Sequence, residues 1–153
     1  MSSTANLQKI GILGGTFDPP HLGHLRIAQA AMDRFNLQSI YFVPCYQSPT
    51  GKQPIASPAQ RFEMLQRMLQ GHPTFKADNR ELTRQGISYT IDTLKSYRAE
   101  YPDTPLYLII GSDNFETFET WRAYEKILEE VNLIVVNRRT KNFERHLKGK
   151  LLH

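Results

Sequence analysis

Short apolar runs and helical stripes follow one another along the whole chain. Ile10–Gly15 is an apolar run closing on two glycines, which predicts a first strand. Leu22, Leu25, Ala28, Met32 and Phe35 then share one face of a helix over 22–35. Ile40-Tyr41-Phe42-Val43 marks a second strand over 39–44, and 45–56, with Pro49, Gly51 and Pro54, reads as a loop. Ser57, Pro58 and Gln60 make a capping box with proline in the first turn. The helix they open buries Phe62, Leu65 and Met68 or Leu69, and Gly71 ends it. Residues 74–78 predict a short strand, and Ser88 is placed to cap a helix carrying Ile91, Leu94 and Tyr97. An apolar strand over 106–111 runs into Gly111-Ser112-Asp113. A helix over 120–130 has Trp121, Tyr124, Ile127 and Leu128 in phase, and 132–137 is the last apolar strand. Beyond it Phe143, Leu147 and Leu151 recur at every fourth residue, so the tail reads as an amphipathic helix or as a frayed end.

Strands alternating with helices imply parallel pairing through right-handed crossovers. Apolar strands without polar alternation imply a sheet covered on both faces. The expected architecture is an α/β, three-layer, doubly wound parallel sheet of the Rossmann-like kind with about five strands. It would form one domain over 1–153, with 138–153 as a basic tail. Ligands of such sheets bind beyond the carboxyl ends of the strands.

Composition narrows the function classes. The chain has 153 residues, 40% hydrophobic and 22% charged, an ordinary globular mixture. Its net charge is +4, yet 138–153 holds six Lys or Arg against one Glu, so the rest carries −1. A basic tail on a near-neutral body argues against a nucleic-acid partner, which wants a basic stripe on the folded surface. Cys45 is the single cysteine, so no internal disulfide is expected. The start is polar and the longest apolar run, 106–110, is too short for a bilayer. These features predict a soluble, cytoplasmic protein without a membrane partner; a homo-oligomer is left open.

The chemistry concentrates after the first strand, in Gly14-Gly15-Thr16-Phe17-Asp18-Pro19-Pro20-His21-Leu22-Gly23-His24. Two glycines let the backbone turn and approach a ligand closely. A helix starting near His21 aims its N–H groups and partial positive charge at the same place, a ready anion site. His21 and His24, three apart, stand on one side of the first turn as imidazole donors. Such a site suits transfer of a nucleotidyl group, where charge gathers on the α-phosphate and catalysis is positioning plus charge stabilisation. A phosphate acceptor is already ionised, so the histidines are expected as donors rather than bases. Neither a Walker A sequence nor G-x-G-x-x-G is present, which disfavours P-loop NTPases and dinucleotide dehydrogenases.

These residues resemble the nucleotidyltransferase superfamily marked by H-x-G-H, and the longer run resembles bacterial nicotinate-mononucleotide adenylyltransferases. Ser88-Tyr89-Thr90 with Thr93-Leu94, Ile109-Ile110-Gly111-Ser112-Asp113, Phe118 with Trp121, and Leu133 to Val136 followed by Arg138 resemble further segments of that family in its order. The resemblance implies transfer of AMP from ATP to nicotinate mononucleotide, with Mg2+ arriving on ATP and no metal site of the protein's own. It implies that Gly14, Gly15, Thr16 and Phe17 meet ATP through the backbone. His21 and His24 would hold its phosphates, and Gly111 and Asp113 its adenosine. Arg138 would lie near the phosphates. Trp121 would stack on the pyridine ring, and N–H groups near Thr90 and Arg122 would receive the nicotinate carboxylate. From the residues alone, Asp113 is equally a helix cap, Trp121 equally a core residue, and Arg122 more readily a surface arginine.

The chain departs from the family pattern twice. Ser48-Pro49-Thr50-Gly51-Lys52 stands where the family has a Pro-Pro-His-Lys-like segment, leaving Lys52 to meet a phosphate. The family's I-S-S-T-x-I-R-like helix start is not found before His153, and Arg138, Arg139, Lys141 and Arg145 are the candidates to stand in for it. Two other readings stay open: a sibling enzyme with another phosphate acceptor, and a shortened nucleotide-binding protein without activity.

Overall fold

The computed structural model describes residues 8–51, 53–137, 143–147 and 150–151. Five parallel strands form first: β1 (Ile10–Gly15), β2 (Ser39–Pro44), β3 (Phe75–Ala77), β4 (Leu106–Gly111) and β5 (Asn132–Val136). Helices α1 (Leu22–Phe35), α2 (Pro58–Met68), α3 (Arg80–Arg84), α4 (Thr90–Glu100), α5 (Ser112–Glu116) and α6 (Tyr124–Glu130) join them. The strand order is β3-β2-β1-β4-β5, continued by two antiparallel strands, β6 (Phe143–Leu147) and β7 (Lys150–Leu151).

Side-chain alternation splits the sheet residues between two apolar layers. Leu13, Phe42, Ile109 and Ile134 pack with Ala28, Ala31 and Phe35 of α1 and Leu65 of α2. Ile12, Val43, Leu108, Ile110 and Leu133 pack with Ile91, Leu94 and Tyr97 of α4 and Ile127 of α6. Both faces are dry, which is why the strands read as continuous apolar runs. Gly11 is fixed by this packing, since a Cβ there would meet Leu37 Cδ1 at 2.9 Å. No helix among the described residues is long and apolar enough to cross a membrane.

Three expectations are corrected. The tail is strand where it is described: Phe143 pairs with Val136 and His146 with Leu133. The apolar edge of β5 offers unpaired N–H and C=O groups, and covering it outweighs a weak three-residue helical spacing. The helix expected over 120–130 is broken. A 3₁₀ turn at Phe118–Thr120 is followed by Ala123 at φ 53, and α6 begins only at Tyr124. Ser88 does not cap α4. Tyr89 is the N-cap residue, and the buried Ser88 Oγ accepts from the Tyr46 N–H at 2.9 Å. The capping box of Ser57 and Gln60 is present as expected.

Candidate active site

The strand order reverses beside β1: the chain moves out through β2 and β3, then returns to place β4 on the other flank of β1. A crevice opens at such a switch point, outside the carboxyl ends of β1 and β4. Gly14, Gly15 and Thr16 leave β1 there, and Gly111 to Asp113 leave β4 alongside. A Cβ on Gly14 would meet only the Val43 carbonyl oxygen, at 3.9 Å. The fold itself does not need glycine at that position, so its bare backbone leaves room for a ligand.

The two histidines cap the helix behind this turn. His21 is the N-cap residue of α1; its Nδ1 accepts from the Gly23 N–H at 3.1 Å, and His24 Nδ1 accepts from the His21 N–H at 3.0 Å. The rings stack with centroids 3.8 Å apart. The helix start is therefore dressed by imidazoles. A neutral imidazole that accepts at Nδ1 carries its proton on Nε2, so each ring keeps an N–H as a donor. His21 is exposed and His24 half-buried, with the buried Phe17 ring 4.8 Å from His24. Neither ring is fully buried. Gly23 makes the arrangement feasible, because a Cβ there would stand 2.9 Å from His21 Nδ1.

Asp18 of the same turn fastens a second segment to it. Its Oδ2 accepts from the Ile55 N–H at 2.6 Å and its Oδ1 from the Ala56 N–H at 3.1 Å. The end of the loop over 45–56 is thereby tied to the β1 turn. Lys52 of that loop and Arg138 lie outside the described residues. Cys45, at the β2 exit, has its thiol pushed up by burial against the opposing effects of Thr16 and Arg61, which keeps it a neutral neighbour.

A second group assembles at α4. No side chain caps this helix, and Thr90 is its first residue. Arg122 lies over the ring of the N-cap residue Tyr89, with Cζ 3.7 Å from the centroid. A cation thus stands beside an uncapped helix start, the two ingredients of an anion site. Trp121 is half-buried, its ring 5.1 Å from Phe118, and the αL turn at Ala123 separates it from α6. Gly111 is the N-cap residue of α5 without a side-chain cap, so Asp113 sits in the first turn, exposed and not capping.

Among the described residues no group of three or more His, Cys, Asp or Glu could hold a metal ion. A cleft of about 380 Å³ near Arg98, Asp103 and Asn132 lies at the opposite, amino ends of β4 and β5. There Arg98 is occupied by the carbonyls of Thr104 and Glu130, an internal splice rather than a ligand site.

Fold and site together define an H-x-G-H nucleotidyltransferase arrangement. A family model described as cytidylyltransferase-like matches residues 12–150, and the chain belongs to that family. Among its relatives, a probable nicotinate-nucleotide adenylyltransferase of Legionella pneumophila (strain Corby) is 47% identical over 133 residues, 86% of this chain and 63% of its own length. One of Listeria monocytogenes serotype 4a is 46% identical over 132 residues, 85% of this chain and 70% of the relative. The chain thus spans about 63% of the length of the Legionella relative. The Plasmodium falciparum nicotinic acid mononucleotide adenylyltransferase complexed with NaAD superimposes with a TM-score of 0.73 at 21% identity, covering 88% of this chain and 67% of that one. A putative nicotinate-nucleotide adenylyltransferase of Vibrio parahaemolyticus gives 0.74 at 20% identity, covering 89% and 81%. The resemblance read from the sequence holds, as does the fold.

Proposed function

We propose that this protein transfers AMP from ATP to nicotinate mononucleotide. The observation that carries the reading is the stacked His21–His24 pair at the mouth of α1, each ring an Nε2–H donor beside the open Gly14 backbone. The 5′-phosphate oxygen of the mononucleotide attacks the α-phosphorus of ATP. One P–O bond forms, the α–β anhydride bond breaks, and pyrophosphate leaves with that bond's electrons. No side chain has to take a proton from an ionised phosphate. The two imidazoles and the backbone of Gly14 to Phe17 would hold the phosphates as charge moves onto them. Magnesium would arrive on the triphosphate as part of the substrate.

Asp113 and Gly111 would take the adenosine, the exposed carboxylate accepting from ribose hydroxyls. The other substrate would lie between α4 and Trp121, its ring on the indole and its carboxylate at the N–H groups near Thr90 and Arg122. Lys52 and Arg138 would add charge near the phosphates. The names of the Legionella and Listeria relatives, and the dinucleotide named with the Plasmodium structure, support this assignment.

Purified protein with MgATP and either nicotinate or nicotinamide mononucleotide, followed by pyrophosphate release, tests the proposal. Release with the acid exceeding release with the amide is expected. Background release with both, alongside calorimetric ATP binding, would leave a nucleotide-binding protein and end the enzyme reading.

A further inference from the structure

We infer that Arg61 is a positioning residue for the nucleotide phosphates, an inference resting on the adenylyltransferase reading. Arg61 lies in the first turn of α2 and is 0% exposed. Its Nη1 donates to the Thr16 carbonyl at 2.8 Å and the Cys45 carbonyl at 2.7 Å, and Nη2 to the Tyr46 carbonyl at 3.5 Å. All three carbonyls belong to residues where β1 and β2 end. Among the described residues the ion pairs involve Arg67, Arg80 and Arg98, not Arg61, and its buried Nε–H has no acceptor.

A fully buried arginine ordinarily faces a carboxylate, because removing the charge from water costs several kcal/mol. Here backbone dipoles alone hold it. The guanidinium therefore sits beneath the phosphate turn without an ion-pair partner among the described residues, in a low-dielectric setting where a charge acts strongly on a nearby anion. The hydrogen bonds also set backbone direction. In a trans peptide the C=O and the following N–H point to opposite sides. Drawing the Thr16 carbonyl toward Arg61 turns the Phe17 N–H away from the buried guanidinium. The same geometry is visible next door: the Cys45 carbonyl faces Arg61, and the Tyr46 N–H, turned away, reaches Ser88 Oγ at 2.9 Å. Asp18, two residues beyond Thr16, secures the other end of the loop that Cys45 begins. Arg61 thereby fixes both strand exits that border the triphosphate without touching it.

The test compares Arg61→Gln and Arg61→Lys with wild type. ATP and mononucleotide are varied separately, MgATP binding is followed by calorimetry, and the folded fraction by circular dichroism. Residues that orient metal ligands from behind are worth about 10–100-fold, and that scale is taken for Arg61. In folded Arg61→Gln we expect kcat/KM for ATP and ATP affinity to fall by that range, while KM for the mononucleotide stays within about twofold, the mark of a phosphate-specific loss. Arg61→Lys keeps the charge but not the fork, and should recover part of the loss. Wild-type ATP parameters in folded Arg61→Gln overturn the inference. So does a fall in turnover matched by the folded fraction with both KM values unchanged, since that is a merely structural clamp. Should Arg61→Gln not fold, Arg61→Lys with wild-type ATP affinity overturns it equally. A wild type that binds MgATP but makes no product ends the adenylyltransferase reading, and ATP affinity in the variants then decides Arg61. A wild type without ATP affinity removes both.

Discussion

In the proposed reaction His24 has two functions that differ in magnitude. As an N3 acceptor for the His21 N–H it contributes what a cap contributes, about 1 kcal/mol of stability. As a donor to a charged transition state it contributes more, about 10²–10³ in turnover. His24→Ala is therefore expected to lower kcat at least about 10²-fold while costing only about 1 kcal/mol in a denaturant melt. Near-wild-type turnover would remove the donor role. Gly23→Ala separates the two effects further. Alanine in a helix gains about 1 kcal/mol over glycine, roughly what the cap loses when its Cβ, 2.9 Å from His21 Nδ1, evicts the ring. Stability should be nearly unchanged and turnover should fall, read by chemical denaturation and steady-state rates on the same preparation. An active Gly23→Ala would show that His21 has no need of its capped position. Of these residues the sequence disclosed the two imidazoles and their shared side of the helix. It concealed the capping exchange, because histidine is not an expected cap.

The strands were legible as elements because both faces of the sheet are buried, leaving apolar runs that no surface helix resembles. The segment after β4 was not. Trp121, Tyr124 and Leu128 have helical spacing, and Ala123 is the best helix former, so nothing local announces a left-handed residue at φ 53. Arg61 was hidden for a related reason: pattern reading counts arginine as a surface residue, yet here it takes a core position next to Leu65. Glu81 of α3 is a third such case. It is buried, and its carboxylate accepts from Thr93 Oγ1 at 2.6 Å, which ties α3 to the α4 helix that presents Thr90. Burial raises its pKa, with Asp78 adding to the rise, while Thr93, Arg84 and Ser88 oppose it. A raised folded pKa means the native state binds the proton more tightly than the unfolded chain. Its stability contribution is present below the unfolded value and is lost as pH rises through the folded one. Melting wild type and Glu81→Gln in parallel from about pH 4 to 7 should show wild type losing stability relative to the variant as pH rises. Parallel curves would mean that Glu81 titrates as it does in the unfolded chain.

For the whole molecule, the switch point between β1 and β4 separates the two groups of residues to which binding is proposed, one at α1 and β1 and the other at α4 and Trp121. Strand order could not be read from the sequence, but glycines and polar side chains could be placed after β1 and β4, where a reversed order makes the crevice. A substrate pair laid across that crevice should respond to damage at each end separately. Trp121 rests its ring on Phe118 and stays half-exposed, so truncating it removes a flat face with little loss of core. Stacking of a flat ring on an aromatic side chain is worth about 1–3 kcal/mol, and about 1.4 kcal/mol is tenfold in affinity. Trp121→Ala is therefore expected to raise KM for nicotinate mononucleotide roughly tenfold or more, with KM for ATP little changed. His24→Ala should spare the mononucleotide KM and act through ATP and kcat. Steady-state kinetics with each substrate varied in turn reads both. If Trp121→Ala weakened both substrates alike, the indole would be holding up the fold at the β4 exit rather than receiving the pyridine, and the division of the crevice would fall.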